Sequence, residues 1–267
     1  MNVFTLLPGT APLLISIPHL GTSIPDDILA AMQRNTALRL DDTDWHLDRL
    51  YGFARQMGAS ILMPAHSRYV IDLNRPPDDQ NLYPGKNTTG LLPLDTFNEE
   101  ALYLPGRQPD STEKQRRRDL YWRPYHDALQ GELQRLRSRH ERVLLWEAHS
   151  IRSTVPRLFE GRLPDFNFGT ADDVSALPGL AQALADEAAR AGYSAVANGR
   201  FKGGYITRHY GQPDQGIHAV QLELAQINYM DETPPYTYDA TRAERLTPVL
   251  ERCLELALDR LANGSSH

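Results

Sequence analysis

Two apolar runs that each end in a histidine constrain the fold of this chain more than any other feature. Residues 14–17 lead through Pro18 to His19, and residues 144–148 lead directly to His149. Continuous apolar runs are typical of strands that are buried on both faces of a sheet. In open α/β sheets, ligands bind beyond the carboxyl ends of such strands. The two runs therefore predict that two imidazoles meet at one sheet edge and bind a metal ion. The alternative is that each ring only hydrogen-bonds its own loop.

The patterns along the chain predict strands and helices in alternation. The predicted strands cover residues 13–17, 60–63, 69–73, 143–148, 193–197 and 218–224. The predicted helices cover residues 45–57, about 110–140, 177–191 and 242–262. Pro124 is expected to kink the second helix, and Gly192 to cap the third. This alternation predicts an α/β fold: a three-layer sandwich around a central mixed, largely parallel sheet.

Length and composition predict one domain over residues 1–267, because this length is ordinary for one α/β enzyme domain and 41% of the residues are hydrophobic. Residues 75–107 are rich in Pro, Gly, Asn and Asp, which favours a lid or substrate loop over a linker. Residues 263–267 are expected to form a frayed tail.

The charge balance argues against two classes of partner. The net charge is −6 and the pI is about 5.8, whereas binding to nucleic acid or an anionic membrane favours a basic face. No apolar run is long enough for a transmembrane helix, and the first residues do not resemble a signal peptide. The single cysteine, Cys253, can form no disulfide within the chain, which fits the cytoplasm. The oligomeric state is left open.

An acidic cluster at a predicted helix start offers a carboxylate for the metal. It contains Asp41, Asp42, Asp44 and Asp48, together with His46. Helix capping and the helix dipole explain two or three of these acids but not the whole set. Asp44 and Asp48, four residues apart, are expected to share one helical face. Asp44 is the predicted metal ligand, with His46 as an alternative ligand or a supporting group.

Glu223 lies inside the apolar strand predicted at residues 218–224. A carboxylate there is costly unless it is paired or functional. Beside a metal-activated water it would serve as a general base. The alternative is a structural carboxylate in a salt bridge.

Arginines near predicted strands and glycine turns suggest an anion pocket. Arg75 follows the run at residues 69–73, Arg68 precedes it, and Arg208 follows Gly204 and Tyr205 in a glycine-rich turn. A guanidinium group can bind a carboxylate through two parallel hydrogen bonds. These residues are the predicted substrate-binding groups, although each arginine taken singly is more often a surface residue. The sequence contains no Gly-x-Ser-x-Gly motif, so it does not indicate a serine nucleophile.

The motifs, taken in order, resemble the N-formylglutamate amidohydrolase family. The matching segments are Ser16-Ile17-Pro18-His19-Leu20-Gly21, Asp42-Thr43-Asp44-Trp45, Tyr69-Val70-Ile71-Asp72-Leu73-Asn74-Arg75, Glu147-Ala148-His149-Ser150, Asp165-Phe166-Asn167-Phe168-Gly169-Thr170, Gly203-Gly204-Tyr205-Ile206-Thr207, Gln221-Leu222-Glu223-Leu224 and Tyr229-Met230. The resemblance implies a hydrolase that converts N-formyl-L-glutamate to formate and L-glutamate in histidine degradation, with a divalent metal, zinc, as cofactor.

The family is similar in turn to zinc carboxypeptidases. That similarity implies that Arg75 binds a substrate carboxylate and that Glu223 is the general base. One departure is Thr22, which stands where those enzymes place a ligand glutamate. The carboxylate ligand must therefore come from elsewhere, and Asp44 is the candidate. Glu147 stands where an aspartate is expected.

Two alternatives remain open from the sequence. One is a related metallohydrolase that acts on another N-acyl amino acid or on a peptide C-terminus. The other is a non-catalytic protein of the same fold that binds an acidic metabolite.

Overall fold

A seven-stranded sheet forms the centre of the computed structural model, which describes residues 2–80 and 89–264. The strands are β1 (Phe4–Leu7), β2 (Leu13–Ser16), β3 (Ser60–Pro64), β4 (Val143–Ile151), β5 (Phe166–Gly169), β6 (Ala195–Ala197) and β7 (Ile217–Ala225). Their spatial order is β1-β3-β2-β4-β7-β5-β6. The central strands β3, β2, β4 and β7 run parallel. β1 is antiparallel to β3, and β5 is antiparallel to β7 but parallel to β6. The predicted mixed, largely parallel sheet is confirmed.

Helices cover both faces of the sheet. They are α1 (Asp26–Leu29), α2 (Arg34–Arg39), α3 (Leu47–Leu50), α4 (Ser111–Arg117), α5 (Arg123–Arg137), α6 (Leu180–Arg190), α7 (Tyr205–Tyr210) and α8 (Ala240–Asn263). Short 3₁₀ turns occupy Gly52–Arg55, Pro213–Gln215 and Gln226–Asn228, and a π turn occupies Arg118–Trp122.

The side chains of the buried strands alternate between two apolar cores. Along β2, Leu13 and Ile15 pack in the core that also contains α6 and α8. Leu14, between them, packs in the opposite core, with Leu129 and Leu133 of α5. Successive strand residues point to opposite faces, so a strand buried on both faces is apolar throughout. The predicted three-layer α/β fold is therefore confirmed.

Two predicted elements are wrong in type. The strand expected at residues 69–73 is instead a series of turns. Its apolar side chains are buried, but its backbone does not pair with a strand of the sheet. The Asp72 amide instead donates to the Leu91 carbonyl. The helix expected at residues 45–57 is reduced to α3 and a 3₁₀ turn. His46, with φ of 61°, has a left-handed backbone that a regular helix cannot contain.

Other boundaries differ in ways that affect the site. β4 continues through His149 to Ile151, so this histidine lies within its strand. The long helix predicted near residues 110–140 is continuous in position but passes through the π turn just before Pro124, which lacks an amide hydrogen. The sequence patterns did not predict the strands β1 and β5.

Two predictions concern segments that the structure describes only in part. α8 ends at Asn263, and residues 265–267 of the predicted tail lie outside the described residues. Of the predicted loop at residues 75–107, residues 81–88 also lie outside them. In the described part of the chain, no helix combines the length and apolar character needed to cross a membrane.

The imidazole of His218, at the start of β7, is buried, and neither ring nitrogen has a hydrogen-bond partner among the described residues. Burial lowers its pKa to about 4, and the nearby charges of Arg142 and Arg137 add to this effect. In the unfolded chain the imidazole has a pKa near 6.5, so between about pH 6.5 and pH 4 it is protonated in the unfolded chain but neutral in the folded one. Above about pH 6.5, His218 is neutral in both states and does not oppose folding. As the pH falls from 6.5 towards 4, the free energy of unfolding decreases, because only the unfolded chain binds the proton.

We expect the neutral variant His218→Leu to weaken this acid destabilisation. Relative to about pH 7.5, wild type should lose about 2 kcal/mol of unfolding free energy at about pH 5 through this one group. The pH-dependent difference should shrink by roughly that amount in the variant, as measured by urea unfolding at both pH values. An unchanged difference would show that His218 is not the group responsible.

Candidate active site

The carboxyl ends of β2, β4 and β7 converge on one polar centre. His19 lies in the loop that follows β2, while His149 and Glu223 are paired in register on the parallel strands β4 and β7. Strand alternation places His149 and Glu223 on the sheet face that carries α5. The prediction of two histidines at one sheet edge therefore matches their placement.

The loop that carries His19 depends on a close approach between two backbones. A Cβ atom at Gly21 would lie 2.2 Å from the His66 carbonyl oxygen, so only glycine fits without moving the chain. This contact fixes the path of the loop two residues after His19.

His19, Asp44 and His149 form a group that could hold a metal ion. All three are buried, and one donor atom from each lies within 4.8 Å of the others. Asp44 Oδ2 is 3.0 Å from His149 Nδ1 and 3.7 Å from His19 Nδ1. Asp44 precedes α3, so the expectation that it shares a helical face with Asp48 is wrong. Its position is fixed because its amide donates to the His19 carbonyl and its carboxylate accepts from the Ser150 amide.

A second carboxylate lies behind each histidine. His19 Nε2 is 2.7 Å from Asp72 Oδ1, and His149 Nε2 is 2.6 Å from Glu147 Oε1. Metal-binding histidines commonly donate their far N–H group to a carboxylate, which fixes the ring and its tautomer. With a metal bound, Nε2 would carry the proton and the Nδ1 lone pair of each ring would face the Asp44 side.

The two rear carboxylates have their own partners. Arg68 Nη2 donates to Asp72 Oδ2 at 2.7 Å. The Thr207 amide donates to Glu147 Oε2 at 3.0 Å, and the Thr207 hydroxyl donates to the same oxygen. The sequence did not assign a role to Asp72. A buried charge among apolar neighbours, the signal that identified Glu223, applies to Asp72 equally.

Asn74 and Gly204 support this centre from the side of α7. Asn74 Nδ2 lies 3.0 Å from His149 Nε2, and Asn74 Oδ1 accepts from the Ile206 amide. A Cβ atom at Gly204 would lie 2.3 Å from Asn74 Nδ2. Glycine at this position therefore lets the α7 segment pack against the asparagine without displacing it.

The buried charges shift the pKa values of the histidines in opposite directions. Burial lowers the pKa of His19, and Arg68 reinforces this effect. Burial also opposes the charged form of His149, but Glu147 and Asp44 outweigh it and raise its pKa. Asp72 is neutralised by Arg68, whereas Asp44 and Glu147 leave an excess of negative charge around His149. A cation bound beside these carboxylates would balance that charge.

Glu223 has the character of a reactive carboxyl group. Burial raises its pKa to about 8, Asp44 adds to the increase and His149 opposes it. No hydrogen bond from residues 2–80 or 89–264 reaches its carboxyl group, and it lines the same cavity as His19, Asp44 and His149. The predicted alternative, a structural salt bridge, has no support among these described contacts.

Three arginines line this cavity: Arg68, Arg75 and Arg200. Arg75 donates to the Thr89 carbonyl at 2.8 Å, to the Thr89 hydroxyl at 3.2 Å and to the Asn74 carbonyl at 3.0 Å. Of these three arginines, only Arg200 was not predicted from the sequence to bind substrate. It follows the short strand β6, which carries no charged motif that would have marked it.

Other predicted residues have separate positions. Gly204 lines the cavity, whereas Tyr205 and Arg208 are not among its described lining residues. Arg208 is exposed, and its Nε donates to the Gly203 carbonyl. His46 Nε2 lies 2.7 Å from the Tyr236 carbonyl oxygen, and His46 is not part of the described metal-binding group.

Comparison with known proteins gives consistent matches over almost the whole chain. Residues 11–230 match the sequence profile of the N-formylglutamate amidohydrolase family. Two proteins named N-formylglutamate deformylase, from Pseudomonas putida and Pseudomonas aeruginosa, are 51% and 52% identical to this chain over 258 residues. Each alignment covers 96% of this chain and 96% of the relative.

Solved structures give the same match at the level of the fold. A crystal structure of an N-formylglutamate amidohydrolase from Ralstonia eutropha superposes with a TM-score of 0.81 at 29% identity, over 96% of this chain and 98% of that one. A gene product of Agrobacterium tumefaciens superposes with a TM-score of 0.75 at 16% identity, over 98% and 97% of the two chains, and shows likeness of fold alone.

Proposed function

The chain belongs to the N-formylglutamate amidohydrolase family and hydrolyses N-formylglutamate, and we propose that the reaction takes place in the cavity around His19, Asp44 and His149. Water adds to the formyl carbon, the carbon–nitrogen bond breaks, and the products are formate and L-glutamate. The observation that carries the assignment of the site is one arrangement: three buried metal-donor side chains beside Glu223, a carboxyl group without a described hydrogen-bond partner.

We propose zinc as the metal, held by the two Nδ1 atoms of His19 and His149 and by the Asp44 carboxylate. Two imidazoles and one carboxylate are a donor set that zinc accepts in catalytic sites, where a fourth position stays open. The excess negative charge around His149 and the rear carboxylates Asp72 and Glu147 support a cation there. When bound, such an ion polarises a carbonyl group and lowers the pKa of water.

Glu223 is the proposed general base and acid. Its carboxylate takes a proton from the attacking water and then delivers a proton to the nitrogen of the leaving glutamate. Burial raises the pKa of this group, which makes its carboxylate a stronger base than an ordinary glutamate when it accepts the proton from water. Arg68, which lines the cavity while paired to Asp72, is the proposed cation for the negative charge that develops on the formyl oxygen.

Arg75 is the proposed partner of the substrate α-carboxylate. It lines the same cavity as His19, Asp44 and His149, and its charge is near enough to Asp72 to lower the pKa of that carboxyl group. The α-carboxylate belongs to the carbon that carries the amide nitrogen and must therefore stay near the reacting centre. The hydrogen bonds to Thr89 and Asn74 hold the guanidinium plane, and the remaining N–H groups are available for a carboxylate.

Formate release tests the proposed reaction directly. The purified protein should release formate from N-formyl-L-glutamate and much less acetate from N-acetyl-L-glutamate, because a site shaped around the smallest acyl group excludes the added methyl group. Both products are measured at matched substrate concentrations. Equal or faster acetate release would contradict a deformylase.

Glu223→Gln should lower kcat by roughly 10²- to 10⁴-fold, because the amide keeps the shape of the side chain but cannot transfer the proton. Its melting temperature and metal content should remain close to those of wild type, since a neutral amide replaces a group that burial already disfavours as an ion. Turnover near the wild-type rate would show that Glu223 is structural.

Metal content tests the proposed ligands. Elemental analysis should find about one metal ion per chain in wild type and a large loss in His19→Ala and Asp44→Ala, because three ligands are few enough that each is needed. His46→Ala is the matched control: this histidine lies two residues from Asp44, and its ring contacts the Tyr236 carbonyl. Full occupancy in folded His19→Ala, or loss in His46→Ala, would reassign the site.

A further inference from the structure

We propose that Arg200 binds the side-chain carboxylate of N-formylglutamate and so sets the preference for a dicarboxylic substrate. The inference rests on the proposed function, because it concerns the same cavity. Arg200 lines the cavity but lies outside the sequence motifs. In this proposal Arg75 binds the α-carboxylate of the substrate and Arg200 binds its side-chain carboxylate.

Arg200 enters the cavity from a different part of the fold than Arg75. It lies between β6 and α7, and its Nε donates to the Leu158 carbonyl oxygen at 2.7 Å. Leu158 belongs to the segment that follows β4. The guanidinium carbon lies 5.2 Å from the centroid of the Phe201 ring. These two contacts help to orient the guanidinium group, and neither of them involves Arg75.

The positions of the other two arginines leave the distal carboxylate to Arg200. Arg68 is buried in its ion pair with Asp72, behind His19. Arg75 follows Asn74 beside His149, which suits the α-carboxylate. Two methylene groups separate the side-chain carboxylate of the substrate from its α-carbon, so this carboxylate needs a cation other than the one that binds the α-carboxylate.

The surroundings of Arg200 also match the carbon chain of the substrate. Ile151, Leu158 and Phe201 line the cavity, as does Phe97. These side chains belong to one small apolar cluster beyond the end of β4. The two methylene groups of a glutamate side chain bury their surface against such a wall, while the carboxylate at their end meets a guanidinium group. A cation at the end of an apolar wall is the chemical complement of this side chain.

The decisive experiment compares two substrates that differ only in the distal charge, N-formyl-L-glutamate and N-formyl-L-glutamine. Arg200→Gln should lower kcat/KM for the glutamate substrate by about 10- to 100-fold, the usual effect of losing one charged hydrogen-bond partner. Most of the change should lie in KM, because the distal carboxylate interacts equally in the ground state and the transition state. kcat/KM for the glutamine substrate should stay close to the wild-type value.

Three further variants make the result specific. Arg200→Met keeps an unbranched side chain against Phe201 and should give the same loss of selectivity. Arg200→Lys keeps the charge without the planar fork and should lie between wild type and Arg200→Gln. Lys202→Gln is the matched control, since this cation lies two residues away, pairs with Asp172 and does not line the cavity; its selectivity should equal that of wild type.

Failure of this proposal can be told apart from failure of the proposed function. If wild type releases no formate from N-formyl-L-glutamate, the function itself is wrong. If wild type is active but Arg200→Gln and Arg200→Met leave its selectivity unchanged, the distal carboxylate binds elsewhere. If both variants lower kcat/KM equally for the two substrates, Arg200 has a structural role in the cavity and does not bind the distal carboxylate, which would contradict the proposal.

Discussion

Buried negative charge at the carboxyl ends of β2, β4 and β7 is the constraint on which the rest of the structure depends. Asp44 lies between the two histidines, and Asp72 and Glu147 lie behind them. Burying carboxylates is unfavourable unless each finds hydrogen bonds or an opposite charge. Neighbouring elements supply these partners: Arg68 for Asp72, Thr207 of α7 for Glu147, and the Ser150 amide for Asp44. The requirement for charge balance thus connects segments that are distant along the chain.

The parallel sheet makes this convergence possible, and close backbone packing makes it rigid. Parallel strands end at the same edge, so β4 and β7 place His149 and Glu223 side by side without any long-range adjustment. The loops that complete the centre are held by contacts that exclude a side chain at Gly21 and Gly204. The proposed catalytic groups are therefore positioned by paired strands and by closely packed loops, which favours preorganised chemistry.

The sequence predicted the elements whose signal is local, and it failed where the signal depends on tertiary contacts. Continuous apolar runs identified β2, β4 and β7 because burial on both faces leaves no room for polar residues. The same rule misread residues 69–73, since apolar side chains can be buried beneath a sheet without pairing in it. The helix expected at residues 45–57 failed because one residue, His46, adopts a left-handed backbone that no periodicity reveals. The roles of His19, Asp44, His149 and Glu223 remain predictions that the observed geometry supports.

Arginine assignment shows most clearly what sequence alone leaves out. Arg68, Arg75, Arg200 and Arg208 are chemically identical, and motif position favoured all of them except Arg200. Their described contacts differ: a buried carboxylate for Arg68, backbone and hydroxyl oxygens for Arg75, the Leu158 carbonyl oxygen among the partners of Arg200, and the Gly203 carbonyl oxygen among those of the exposed Arg208. An arginine that is paired with a buried carboxylate, as Arg68 is with Asp72, mainly shapes the local electrostatic potential. The proposed recognition of the substrate therefore depends on contacts that the tertiary fold, and not the local sequence, sets for each arginine.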